Sequence, residues 1–167
     1  MFNQLTKKDI EDMEKEIEER KVVIRPKLLE SLKEARSQGD LSENFEYYAA
    51  KREKNKNESR IRFLERMIKT AEIIEDESKE DEIGINTTVK ILFEDDGTEE
   101  SVCIVSTMRG DSLNGLVSIE SPIGKALLGH KKGDRVEVMV NKDISYFVKV
   151  IEFIKNSDEA NASIRSY

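Results

Sequence analysis

Gly39 divides the first half of this chain into two long helical patterns, and neither glycine nor proline falls between Asp40 and Glu75. Glycine is the residue that most easily takes the left-handed conformation that ends a helix. A break at Gly39 between two such runs predicts helices that fold back on one another, with the break at the tip. Asp40 follows at once and Glu43 lies three residues further on, so the tip carries a pair of carboxylates. Acids at the end of a rod build no core; they deliver charge to something else.

Before the break, Thr6 reads as an N-cap with Asp9 in the first turn. Ile10, Met13, Ile17 and Ile24 recur at spacings of three, four and seven, a seam for a partner helix, with Arg20 and Lys21 interrupting it. Pro26 should kink the helix or begin a second segment. Leu28, Leu29, Leu32 and Ala35 carry the apolar face on to Gly39. The second run starts near Ser42 and extends to about Glu75. Ile61, Leu64, Ile68, Ala71 and Ile74 form its apolar stripe, while Lys51 to Asn57 offer almost none, so packing there is loose or polar. By itself this is an interaction coiled coil.

Glu75 to Glu82 is a nearly unbroken charged run and reads as a boundary. After it the period changes to alternation. Residues 89–93 and 101–105 read as strands joined through Asp96-Gly97, a strong turn signal. Residues 115–119 make a third strand, 121–129 a short helix ended by glycine, and 135–140 a strand after the turn at Gly133-Asp134. The last strand, 146–154, alternates less cleanly, and the tail from Asn156 to Tyr167 is polar and reads as disordered. The expected fold class is therefore α+β: an antiparallel helical hairpin over 1–76, a linker over 77–84, a small mostly-β domain over 85–155 and a tail over 156–167.

The net charge of −7 argues against tight nonspecific binding to bare DNA or RNA, which needs a basic footprint. Residues 1–76 hold 17 basic and 18 acidic groups and residues 77–167 hold 11 and 17, so the acidity sits mostly in the second half. Cys103 lies in an apolar run and reads as a buried thiol of a reducing compartment. No run approaches the roughly 20 apolar residues of a membrane span, and the N-terminus has no signal-peptide core. The expectation is a soluble cytoplasmic protein with no membrane contact. His130 has no companion Cys or His, which supports neither a metal site nor a catalytic base there.

The stretch Glu34 to Lys51, with its centre Gly39-Asp40-Leu41-Ser42-Glu43-Asn44-Phe45-Glu46-Tyr47, resembles the tip motif of the Gre family of transcript cleavage factors. Ser121-Pro122-Ile123-Gly124-Lys125-Ala126-Leu127-Leu128-Gly129, followed by Gly133-Asp134, resembles the motif of their C-terminal domain, and the likeness runs from about Leu5 to Ile154. It implies an N-terminal antiparallel coiled coil and an FKBP-like C-terminal domain without isomerase activity. It also implies a monomer that enters the secondary channel of bacterial RNA polymerase and makes the polymerase cleave backtracked RNA near its 3′ end. Asp40 and Glu43 match the family's acidic pair, which shares a Mg²⁺ ion with the polymerase's active centre only in that complex; no cofactor is implied for the isolated chain. Arg36, Tyr47 and Lys51 fall where contacts to RNA or channel are expected, and Ser121 and Pro122 where the domain meets the polymerase's rim coiled coil. Phe45 stands where the family commonly has alanine, and Lys56 and Asn57 replace residues that are often apolar.

The chemistry is coherent with the residue types. Polymerases displace at phosphorus with two metal ions, and Mg²⁺ commonly takes only one or two carboxylates, with water and phosphate completing its shell. A visiting carboxylate pair can retain the second ion. Asp40-Leu41-Ser42-Glu43 also has the spacing of a capping box, in which both side chains satisfy helix-start N–H groups. A same-fold channel inhibitor without cleavage activity and a plain coiled-coil adaptor are the other functions such a chain admits.

Overall fold

The computed structural model describes residues 3–39, 44–156 and 164. Within these, the chain forms two compact units. One comprises residues 3–9 with those from 72 onward, the other residues 10–71. It is a mixed helix and sheet structure, and among the described residues no helix is long and apolar enough to cross a membrane. The acidic tip pair, Asp40 and Glu43, and nearly all of the expected tail lie outside the described residues.

The helical unit rests on a first helix in three parts: α1 (Lys7–Glu19), a π-helical turn (Arg20–Ile24) and α2 (Arg25–Ser37). Pro26 explains the turn. Proline donates no hydrogen bond and its ring crowds the carbonyl four residues earlier. The chain meets this by widening just before it, and the Arg25 N–H reaches back to the Arg20 carbonyl. Val22 and Val23 are turned outward there. Opposite runs α3 (Phe45–Lys69). It begins three residues later than the sequence suggests, and it stops at Thr70 rather than near Glu75. The backbone is diverted at that point: Glu72 N–H donates to the Asn3 carbonyl (2.9 Å) and Ile74 N–H to the Leu5 carbonyl (2.9 Å).

Between the helices, Ile61 and Leu64 are buried as the stripe predicts, and the apolar-poor middle is polar rather than loose. Arg60 Nε and Nη2 donate to the two Glu16 carboxylate oxygens (3.0 and 3.1 Å). Arg20 Nε also donates to Glu16 (2.9 Å) and its Nη1 to Asn57 Oδ1 (3.0 Å). Asn57 Nδ2 returns a bond to the Arg20 carbonyl (3.3 Å), the same carbonyl that closes the π turn. Arg25 forks onto Glu58 (2.7 and 2.9 Å). Glu16 near the start of the first helix meets Arg60, and Ala35 near its end meets Asn44, so the two run antiparallel. Burial works against ionising Glu16, yet the hydrogen bonds and charge of Arg60 and Arg20 outweigh it and hold its carboxyl below the usual range.

The other unit starts with β1 (Gln4–Leu5), which pairs in parallel with β2 (Glu72–Ile73). Two-residue strands leave no periodicity to read, so the sequence gives no sign of them. Thr6 and Asp9 cap α1 reciprocally: Asp9 N–H donates to Thr6 Oγ1 (3.1 Å) and Thr6 N–H to the Asp9 carboxylate (2.9 Å). The other Asp9 oxygen accepts from Arg109, and both side chains are buried.

A five-stranded sheet follows, in the order β5-β4-β3-β7-β6. Its strands are β3 (Thr87–Phe93), β4 (Glu99–Val105), β5 (Leu116–Ser118), β6 (Arg135–Met139) and β7 (Ser145–Lys155), with α4 (Pro122–Leu127) between β5 and β6. All pairs are antiparallel except β4 with β5. Alternate residues such as Val89, Ile91, Ile104, Val138 and Val148 form the core with Leu127 and Ile83. Cys103 is half-buried rather than buried, because Val102 and Ile104 take the inner positions; its partial burial pushes the thiol up. The uneven pattern of β7 has a local cause. Ile91 pairs with Val150 but Lys90 with Glu152, so Ile151 is an extra residue and the inward set shifts from Val148 and Val150 to Phe153.

Candidate functional site around the α2–α3 turn

α2 ends because Gly39 follows Gln38 with φ +125°, a region L side chains rarely enter. On the far side of the turn, α3 takes its N-cap from Asn44. Asn44 Oδ1 accepts the Tyr47 N–H (3.0 Å), and Asn44 Nδ2 donates to the Ala35 carbonyl near the end of α2 (2.6 Å). One side chain thus satisfies a donor at one helix start and a carbonyl at another helix end. A capping box formed by Asp40 and Glu43 requires a helix that begins at once after Asp40. The observed helix begins at Phe45, with Asn44 as its cap.

Around this turn the structure brings together three of the residues expected from the sequence. The Arg36 guanidinium lies over the Tyr47 ring, 5.6 Å from its centroid. Its hydrogen bond to the Tyr47 hydroxyl, with the charges of Lys51, Arg36 and Lys54, holds that phenol below its ordinary value. Tyr47 and Tyr48 meet edge to face at 5.5 Å. Tyr48 is 47% exposed and Phe45, the first residue of α3, is 84% exposed. The result is an exposed aromatic surface with Arg36, Lys51 and Lys54 around Tyr47. Sequence reasoning missed Asn44 here, although an asparagine before Phe45-Glu46-Tyr47 is an N-cap signal.

Ser121 and Pro122 lie in the other unit. Ser121 caps α4, accepting Gly124 N–H (3.1 Å) and donating to the Ser118 carbonyl (2.6 Å), while Pro122 is exposed at the first helical position. A Cβ on Gly124 would stand 2.0 Å from the Ser118 carbonyl oxygen, so the loop closes only on glycine. His130 faces Asp134 (3.1 Å) across the turn before β6. The Lys131 backbone N–H and then His130 keep the Asp134 carboxyl below its usual range. Among the described residues no three His, Cys, Asp or Glu side chains gather as metal ligands.

Two family models cover most of the chain: transcription elongation factor, N-terminal, over residues 3–73, and transcription elongation factor, GreA/GreB, C-terminal, over residues 77–155. Transcription elongation factor GreA of Lachnoclostridium phytofermentans is 40% identical over 156 residues, covering 93% of this chain and 97% of the relative. GreA of Streptococcus gordonii is 46% identical over 154 residues, covering 90% and 94%. The solved structure of GreA factor homolog 1 of Thermus thermophilus is 29% identical, covering 90% and 97%, with a TM-score of 0.41.

Proposed function

Since the chain belongs to the GreA/GreB family of transcription elongation factors, we propose that it enters the secondary channel of bacterial RNA polymerase. There it stimulates the polymerase to cleave its own backtracked RNA. The observation that carries this reading is the Asn44 clamp. α3 takes its side-chain cap from Asn44, and the two acids stand between the ends of α2 and α3 in sequence. On this reading the antiparallel helices are a coiled-coil hairpin that carries the turn to the active centre, and the sheet unit is an FKBP-like domain. Ser121 and Pro122 belong to the face that meets the rim coiled coil, and the protein acts as a monomer in the cytoplasm.

The donor set fits the metal this chemistry uses: two carboxylates are hard oxygen ligands of the number Mg²⁺ commonly takes from protein. When bound, the ion supplies charge for the attacking and leaving oxygens. The chain's own contribution is to bring Asp40 and Glu43 to that ion and to place Arg36, Tyr47 and Lys51 beside the displaced RNA. The protein itself is an accessory factor; two carboxylates without the polymerase make no nuclease. The decisive measurement is RNA release from a deliberately backtracked polymerase complex in Mg²⁺. Asp40→Asn and Glu43→Gln variants that still bind should lose release by at least about 100-fold, in the range of removing a transition-state contact. Release by the purified protein without polymerase, or undiminished release by both variants, refutes the proposal. Binding without release by the parent identifies a channel inhibitor instead.

A further inference from the structure

We infer that Phe45 is a stacking platform for a nucleobase of single-stranded RNA, flanked by Tyr48 and by the cations of α3. The inference rests on the polymerase reading above and adds to it a residue that selects the RNA-extruded state.

Phe45 is the first residue of α3 and is 84% exposed. A helix start has a local use for an apolar side chain just before the cap, where it staples onto the fourth helical residue. Phe45 comes after the cap, and at 84% exposure it packs into no core among the described residues. Tyr48 lies three residues on, half exposed, and Arg52 seven residues on, exposed, so all three share one helix face. That face alternates flat π surface with positive charge.

Charge points to the same class of partner. From Asn44 to Asn57 the helix holds four cations (Lys51, Arg52, Lys54 and Lys56) and two acids (Glu46 and Glu53), an excess of two positive charges in a chain of net −7. Two of those cations, Arg52 and Lys56, stand seven and eleven residues after Phe45 and so share its face, while Lys51 and Lys54 lie with Arg36 around Tyr47 on the other side of the helix. The start of α3 adds the positive end of the helix dipole. An apolar protein partner would gain nothing from those cations, and a bare duplex would offer no exposed base face. Unpaired nucleotides offer both a π face and phosphates, and stacking on an aromatic side chain tolerates any base.

The test uses the full chain, fluorescently labelled, and reconstituted bacterial polymerase complexes in two states: backtracked by several nucleotides, and with the RNA 3′ end in the active centre. Affinity is measured for the parent, Phe45→Ala, Phe45→Leu and Phe45→Tyr. Alanine and leucine should weaken binding to the backtracked complex about tenfold and leave binding to the other complex unchanged, while tyrosine retains the parent's affinity. Leucine equal to the parent would mean an aliphatic contact, and an equal loss in both complexes would mean contact with polymerase protein. Either result, or no loss at all, overturns the inference. Asp40→Asn in the same assay separates it from the cleavage proposal. A Phe45-dependent preference for backtracked complexes without any RNA release keeps the inference and removes cleavage. Release that depends on Asp40 but is indifferent to Phe45 does the reverse.

Discussion

At Asn44 one amide serves both ends of the turn, its oxygen at the start of α3 and its nitrogen at the Ala35 carbonyl. Alanine there removes an N-cap, worth about 1 kcal/mol, and leaves a part-buried carbonyl short of a donor, roughly 1 kcal/mol more. Asn44→Ala should therefore lower the stability of the helical unit by about 2 kcal/mol, read from urea unfolding followed by helical circular dichroism. Asn44→Asp keeps an acceptor for Tyr47 N–H but turns an anion toward the Ala35 carbonyl, so it should recover less than half of the loss. A full recovery by aspartate would show that the bond to Ala35 carries no weight. The same residue marks the limit of what the motif gives away. Gly39 and the two acids stand out in the sequence because glycine and paired carboxylates have few other uses. Their prominence draws the expected helix start toward Ser42, whereas the asparagine two residues on performs the capping.

The elements follow their periodicities where a period has room to repeat. The strands around Val89, Ile104 and Val138, the turn at Gly97 and the short helix closed by Gly129 all lie where alternation and glycine place them. The middle of the helical pair is different, because polar residues there are not a solvated face. Asn57 is buried, bonded to Arg20 through both its amide atoms, and seated on the carbonyl that closes the π turn. No hydropathy pattern announces such a partner, since a buried amide and an exposed one are the same letter. The consequence is specific. Asn57→Leu adds an apolar residue to a helix interface but takes the acceptor from Arg20 Nη1, leaving only the Nε bond to Glu16, and should destabilise by about 1–2 kcal/mol. Arg20→Leu should cost a similar amount, and the double variant about as much as either single change, since removing both partners leaves nothing unpaired. Thermal unfolding of the four proteins decides it; strictly additive losses would mean that the two side chains do not act as a pair.

For the whole chain, the consequential fact is that the sheet unit is assembled from both ends of the helical unit's sequence: residues 3–9 join those from 72 onward. The composition break near Glu75 to Glu82 is visible as charge, but the contribution of the N-terminus is not. It consists of two residues of strand, a cap and one buried ion pair, none long enough to carry a pattern. Asp9 is fully buried and Arg109 nearly so, and a buried charge that loses its counter-charge typically costs about 3–5 kcal/mol. Asp9→Asn retains an oxygen for the Thr6 N–H yet withdraws the charge facing Arg109. It should destabilise the sheet unit by about 3 kcal/mol, although Asp9 lies some 80 residues from the sheet in sequence. Amide hydrogen exchange at Val89 and Val148, in the central strands β3 and β7, reads that unit directly in the intact protein. Asp9→Asn combined with Arg109→Met removes both charges while keeping the cap and the arginine's aliphatic bulk, and should restore most of the protection. If the double variant exchanges as fast as Asp9→Asn alone, the loss comes from the altered cap and not from a stranded charge. If neither variant speeds exchange, the N-terminal residues contribute nothing to holding the sheet together.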